Sequence, residues 1–309
     1  MTKETPTEAT NEAEPLLELN DLTVDVDIRG RKYRAVDSLN MSIAPRQAMG
    51  LVGESGSGKS LTLRAIMGLL PPNAQITGGS LRFQGQDLLH DGGKLLKHIR
   101  GAGISMVFQE PATSLNPIAK VGKQITDAAA ERRNLSPREA RAYAIELLEK
   151  VGIHEPHKRV DSYPFELSGG MRQRVMIAAA VACGPKLLLC DEPTTALDVT
   201  VQAQIIRLFV ALRDDLDVGL LYVTHDLAVV AQLCDSLTVL YAGEAMESGP
   251  LQSLFDNPQH PYTKALLRST PRIDGPIVRL STISESQPAL TDRPVGEKYP
   301  RRWLSLSHK

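Results

Sequence analysis

The sequence predicts an α/β fold with a mixed central sheet, and three observations carry that expectation. The first is Gly53-Glu54-Ser55-Gly56-Ser57-Gly58-Lys59-Ser60, a G-x-x-x-x-G-K-[ST] phosphate-binding loop between an apolar run and a helical one. The second is Lys186-Leu187-Leu188-Leu189-Cys190, which reads as a strand buried on both faces and ends in Asp191-Glu192. The third is a stretch of helical spacing over 121–152, with no strand signal before Tyr163, which reads as a helical insertion into the sheet domain.

Composition narrows the class. The chain has 309 residues, 42% of them hydrophobic, enough for one large domain or two modest ones. Its 35 basic and 36 acidic residues leave a net charge of −1, which gives no argument for nucleic acid as a partner. No run approaches the roughly 18 apolar residues that a membrane span needs, and the N-terminus lacks a basic-then-apolar secretion pattern. Cys183, Cys190 and Cys234 all sit in apolar stretches and read as small buried hydrophobes in a reducing compartment. These features predict a soluble, cytoplasmic protein.

Taken in order, residues 1–14 read as a disordered acidic tail. Leu17, Leu19, Leu22, Val24, Val26 and Ile28 alternate approximately, turn at Arg29-Gly30-Arg31, and return through a run over 35–43. The pair predicts an antiparallel hairpin beside the phosphate-loop strand, Ala48-Met49-Gly50-Leu51-Val52. Tyr33 is placed to stack on an adenine base or to stand as an exposed edge residue. A helix over 61–70 stops at Pro71-Pro72, a further hairpin spans 78–88, and a short helix covers 94–100. A strand over 104–108 delivers Gln109 to its end, and Pro111, Asn116 and Pro117 break the next stretch into a loop. Ser136 caps a helix that starts at Pro137. Ser168 caps another that opens on Gly169-Gly170 and runs through Val181. A helix over 201–213, a strand over 220–224 ending at His225-Asp226, and strands at 237–240 and 244–247 complete the sheet region. From Pro250 the chain predicts an extended accessory segment, partly disordered, with no strong periodicity beyond 262–267.

The chemistry follows from residue types at these positions. Backbone N–H groups over 54–60 converge on one concavity at the positive end of the following helix, an arrangement that binds phosphates. Lys59 reaches the β- and γ-phosphates, the Ser60 hydroxyl is a Mg²⁺ ligand, and Leu61 and Thr62 complete the turn, Thr62 as a weaker candidate for an α-phosphate contact. Gln109, at a strand's carboxyl end, suits either Mg²⁺ coordination or holding the attacking water. Asp191 is placed to hold Mg²⁺, Glu192 to polarise the water attacking the γ-phosphate, and His225 to hydrogen-bond that phosphate. The Ser168-Gly169-Gly170 helix start is either an anion site or an ordinary capped helix; spacing alone does not separate the two.

In this order the residues resemble the ATP-binding cassette (ABC) ATPase family: phosphate loop, Gln109, Leu167-Ser168-Gly169-Gly170, Asp191-Glu192, Ala196-Leu197-Asp198 and His225, over about residues 16–270. Phe108-Gln109-Glu110-Pro111, the run from Asp191-Glu192-Pro193 to Gln202, and Asn257-Pro258-Gln259-His260-Pro261-Tyr262-Thr263 look like the oligopeptide/dipeptide/nickel importer branch. Ser60-Leu61-Thr62 and Gly169-Gly170-Met171-Arg172-Gln173-Arg174 are closer to the first of the two ATPases such systems use. The resemblance implies an ATPase domain over 15–250, with a helical subdomain inserted at about 110–167, and a C-terminal extension over 251–309. It implies ATP and Mg²⁺ as ligands and a second, non-identical ATPase partner. Two membrane permease subunits and an extracytoplasmic solute-binding protein would complete the assembly at the cytoplasmic face of the inner membrane. Each ATP would lie between the phosphate loop of one chain and the Ser168 helix of the other, with Asp198 among the nucleotide-binding residues. The loop over 111–117 is the part expected to touch the membrane subunits.

Two departures bear on those expectations. Residues 271–309 contain no Cys, so the iron–sulfur centre that many of these ATPases carry is not expected. The family's adenine-stacking aromatic falls near position 34, where this chain has Arg34 with Tyr33 one residue earlier. Di- or oligopeptide is the expected cargo; nickel, opines and oligosaccharides are the alternatives, and a non-transport cassette ATPase is the alternative class. One phosphate loop and no heptad run speak against that class, and the Leu167–Gly170 stretch against a small-molecule kinase.

Overall fold

A computed structural model describes residues 14–90, 92–195, 197–269 and 289–292. The alternating N-terminal stretch forms β1 (Leu17–Ile28) and β2 (Arg31–Ile43), joined by Arg29 and Gly30 at φ 56° and 78°. Two consecutive positive φ values make the tight turn whose twist matches paired strands. The hairpin does not lie beside the phosphate-loop strand, as the sequence suggested. It joins β4 (Ala74–Phe83) and β5 (Gln86–Asp87) in a separate antiparallel sheet of order β2-β1-β4-β5. The strand β3 (Ala48–Val52) has both edges occupied, pairing in parallel with strands at 219–224 and 236–241, so the hairpin has no edge to join. Its apolar face instead covers α1 (Lys59–Met67) and the sheet, through Leu17, Leu39, Leu63, Ile66, Leu51 and Val223.

After α2 (Lys94–Ile99) comes β6 (Ile104–Val107), then α3 (Pro111–Ser114) inside the stretch expected to be loop. The helices α4 (Val121–Arg133), α5 (Pro137–Lys150), α6 (Pro156–Arg159) and α7 (Gly169–Val181) follow. No strand intervenes among the described residues. The start of α5 is a capping box: Glu139 N–H donates to the Ser136 hydroxyl and Ser136 N–H to Glu139 Oε2 at 2.8 Å. Ile125, Ala129, Ala144, Leu148, Val175 and Ile177 bury the facing sides of α4, α5 and α7 in one apolar group.

The remaining elements are β7 (Leu187–Asp191), α8 (Val199–Leu216), β8 (Gly219–Thr224), α9 (Leu227–Leu233), β9 (Ser236–Tyr241) and β10 (Glu244–Pro250). They complete a six-stranded sheet of order β10-β9-β3-β8-β7-β6, parallel except for β10. This is the expected mixed sheet, and β7 is buried at every position. The chain beyond Pro250 is more regular than its sequence suggested, with helices α10 (Leu251–Asp256) and α11 (Pro261–Ser269). The acidic tail over 1–13, and all of 271–309 except 289–292, where no iron–sulfur centre was expected, lie outside the described residues. No helix among the described residues is long and apolar enough to cross a membrane.

Candidate nucleotide-binding site

Parallel strands bring their carboxyl ends to one edge of the sheet, the edge where open α/β folds bind ligands. Here that edge carries the loop after β3, Gln109 after β6, Asp191 and Glu192 at β7, and His225 after β8. The loop requires glycine at two of its positions. A side chain at Gly53 would lie 2.1 Å from the Leu240 carbonyl oxygen, so the loop starts in contact with the end of β9. Gly58, at φ 107°, makes the sharp bend into α1. Ser55 and Gly56 are exposed, Glu54 is half-buried, and the Gly243 N–H holds the Ser57 carbonyl at 2.9 Å. The Ser57 hydroxyl is buried without a hydrogen-bond partner.

Lys59 is almost wholly buried, with its Nζ donating to the Gly53 and Glu54 carbonyls at 2.8 and 2.9 Å. Its ammonium lies 3.7 Å from Glu192 Oε1. Burial lowers the Lys59 pKa, against the opposing pull of Glu192 and Asp191. The Ser60 hydroxyl donates to Asp191 Oδ1 at 2.7 Å. Burial raises the Asp191 pKa, opposed by that hydrogen bond. Leu61 packs against the apolar group beneath the sheet, and the Thr62 hydroxyl is turned inward to the Gly58 carbonyl at 3.0 Å.

Glu192 stands at φ 44°, a left-handed conformation that costs a non-glycine residue about 1–3 kcal/mol. Its N–H donates to the Val223 carbonyl at 3.0 Å. Its Oε2 accepts from the Thr195 hydroxyl at 2.9 Å and lies 3.1 Å from His225 Nδ1. The structure thus joins Lys59, Glu192 and His225 in one chain of contacts, with the Ser60–Asp191 pair beside it. Gln109 is exposed two residues beyond β6, whose neighbour is β7, on the same edge. Thr195 was not foreseen from the sequence, although it lies in the run that follows Glu192.

Other candidates stand apart from that chain. Ser168 caps α7, accepting from Met171 N–H at 3.4 Å, and both Ser168 and Gly169 are exposed. A side chain added at Gly169 would meet nothing within 4 Å, whereas one at Gly170 would meet Val201. Asp198 is the exposed cap of α8, accepting from Val201 N–H at 2.9 Å, and Ala196 lies outside the described residues. Tyr33 is half-buried on β2 opposite Val26, and the Arg31 guanidinium covers its ring at 5.4 Å.

The donor set fits a magnesium nucleotide. Two oxygens of a hard-cation type, Ser60 Oγ and Asp191 Oδ1, are already paired, and an orphaned buried hydroxyl and a buried ammonium border the loop. Among the described residues no group of three or more His, Cys, Asp or Glu side chains gathers as a metal cluster. Away from this edge, a cavity of about 540 Å³ opens between β6, α3, α4 and α7, lined by Ser105, Phe108, Thr113, Leu115, Gln124 and Met176.

Comparison with known proteins gives the family. The profile of the ABC transporter family matches residues 36–195, and that of the oligopeptide/dipeptide transporter C-terminal region matches residues 246–305. An oligopeptide transport ATP-binding protein of Bacillus subtilis is 45% identical over 289 residues, 93% of this chain and 81% of its own. A dipeptide transport ATP-binding protein of Haemophilus influenzae is 44% identical over 281 residues, 91% of this chain and 85% of its own. An ATP-binding cassette solved as a dimer in a post-hydrolysis state, bound to ADP and Pi, superposes with a TM-score of 0.68. It shares 28% identity and covers 76% of this chain and 98% of its own. The phosphate-loop edge, the mixed sheet and these matches make this chain a nucleotide-binding ATPase that belongs to the ABC transporter family.

Proposed function

We propose that this chain is the ATP-hydrolysing subunit that energises an importer of di- or oligopeptides, peripheral on the cytoplasmic face of the inner membrane. The observation that carries the reading is the contact chain from Lys59 through Glu192 to His225, beside the Ser60–Asp191 pair. The peptide cargo rests on the transport functions named for the relatives. Residues 53–62 would wrap the phosphates, with Lys59 turning from the loop carbonyls to the β- and γ-phosphates. Ser60, Asp191 and Gln109 would hold Mg²⁺, which when bound offsets negative charge on the phosphate oxygens. The Glu192 carboxylate takes a proton from water as the new P–O bond forms and the bond to the departing ADP breaks. His225, 3.1 Å from Glu192, would orient that carboxylate and meet the γ-phosphate.

The exposed start of α7 supplies the second half of the reading. Ser168, Gly169 and Gly170 would clamp the nucleotide of a partner ATPase, across an interface that includes Asp198. The partner would be non-identical, and nucleotide would hold the pair closed until hydrolysis. We read 110–167 as a helical arm and 251–309 as an extension of the ATPase domain. The cavity beside α3 would receive a helix of a permease subunit, with Phe108 on its wall. The test is recovery of tagged Glu192→Gln protein from membranes in ATP. Two permease subunits and a second ATPase support the reading; a soluble partner or nucleic acid leaves the ATP chemistry standing and overturns transport.

A further inference from the structure

The motif His260-Pro261-Tyr262-Thr263 takes no part in the chemistry above, yet it lies at the most buried point of the C-terminal helices. Tyr262 is fully buried, and its ring meets that of the equally buried Tyr241 at 4.6 Å between centroids. Tyr241 ends β9, directly after Leu240, whose carbonyl bounds Gly53, and directly before the turn to β10. At that turn Ala242 and Gly243 stand at φ 52° and 92°, and Gly243 N–H holds the Ser57 carbonyl. Tyr262 also lies against the Glu54 backbone, while burial drives its phenol strongly toward the neutral form. One tyrosine therefore borders both the phosphate loop and the strand end that the loop rests on.

The approach to α11 is fixed by polar contacts that packing alone does not require. Glu247, on β10, accepts from Gln259 N–H at 2.7 Å and from His260 N–H at 3.0 Å. Burial raises the Glu247 pKa, but these N–H groups and Thr263 outweigh it and leave the carboxyl below its ordinary value. Tyr262 N–H donates to His260 Nδ1 at 3.1 Å, which sets the first turn of the helix. The β9–β10 hairpin thus holds the phosphate loop at its tip and the start of α11 along its body.

We propose that Tyr262 is a positioning residue of the phosphate loop, and that residues 257–263 are the latch by which the C-terminal region fixes the first turn of that loop for phosphate binding. The inference rests on the phosphate-loop reading. Because coupling between sites is reciprocal, a latch that steadies the loop must itself be steadied by nucleotide.

The test uses the full chain as wild type, Tyr262→Leu, Tyr262→Phe and Leu266→Ala. Leu266 is one turn along the same helix and buried in the same apolar group as Tyr262. Amide hydrogen exchange over 53–59 is followed without nucleotide, with thermal midpoint, affinity for a fluorescent ATP analogue and steady-state kinetics alongside. Tyr262→Leu should speed loop exchange about tenfold and raise Kd and KM about tenfold while kcat at saturating ATP changes less than twofold. Tyr262→Phe, which keeps the ring against Tyr241 and gives up only the phenol's contact with the Glu54 backbone, should show smaller changes than Tyr262→Leu in both, and Leu266→Ala should lower the thermal midpoint without touching the loop. In the wild type, nucleotide should slow exchange over 260–266 as well as 53–59, a readout that needs no variant. Wild-type loop exchange and affinity in Tyr262→Leu, equal loop effects in Leu266→Ala, or no nucleotide protection over 260–266 would each overturn the latch. A wild type that does not bind ATP would instead overturn the proposed function.

Discussion

Replacing Glu192 by Gln removes a base while changing little else. Thr195 and His225 both meet Oε2, so an amide oxygen at that position can accept from the Thr195 hydroxyl at 2.9 Å and lie 3.1 Å from His225 Nδ1, with the amide nitrogen in place of Oε1. Lys59 loses a carboxylate at 3.7 Å but keeps the Gly53 and Glu54 carbonyls. At an effective dielectric of about 20 that lost attraction is about 4.5 kcal/mol before desolvation, and the desolvation of both groups offsets most of it. A missing negative charge beside a triphosphate favours binding if it acts at all. ATP affinity should therefore hold or rise. A positioned general base contributes about 10²- to 10⁴-fold, or roughly 3–5 kcal/mol of barrier. Phosphate release at saturating ATP should fall by that factor, measured beside ATP affinity on the same preparation. Turnover within about threefold of wild type would remove Glu192 as the base.

Three further perturbations separate the parts of the site. Lys59→Ala removes charged hydrogen bonds worth about 1.5–3 kcal/mol each, so ATP affinity should drop at least tenfold; retained affinity undoes the phosphate-loop reading. Ser168→Arg fills an exposed helix start, so ATP binding by the single chain should persist while ATP-dependent association, read by light scattering, disappears. An intact ATP-dependent assembly would sink the head-to-tail arrangement. Burial raises the Asp191 pKa, so the folded chain holds that proton to higher pH than the unfolded chain does. Stability is then lost as pH rises from about 4 through the raised folded value. In chelator, Asp191→Asn should melt above the wild type at pH 7, with the gap closing below about pH 4. A gap that ignores pH refutes the assignment.

What the sequence made legible was what short patterns encode. The phosphate loop, the apolar strand into Asp191-Glu192 and the caps at Ser136 and Ser168 each fit within a dozen residues, and all appear as expected. What it hid was which distant segments meet. The β1–β2 hairpin reads correctly as a hairpin, but its place in a second sheet depends on β8 and β9 occupying both edges of β3. The helix α10 has only six residues, too few for a periodic signal, and α11 buries Tyr262 against a strand end that no local pattern names. Thr195 needed the tight turn after Glu192 before its hydroxyl could be seen to reach the carboxylate.

Glu192 is where local preference and fold disagree most sharply at the site. A position at φ 44° favours glycine or asparagine, and a long acidic residue there strains the backbone. The conformation persists because its surroundings determine it: β8 takes the N–H, Thr195 and His225 take one carboxylate oxygen, and Lys59 faces the other. Glycine would relieve the backbone and lose the carboxylate. A residue serving packing alone would not be kept at such a cost, since Glu192 contributes nothing to either apolar group. The strain aims a carboxylate across the strand ends toward Lys59, which places acid–base capacity where the phosphate loop delivers charge. That conjunction, more than any single motif, is the physical argument for hydrolysis rather than binding alone.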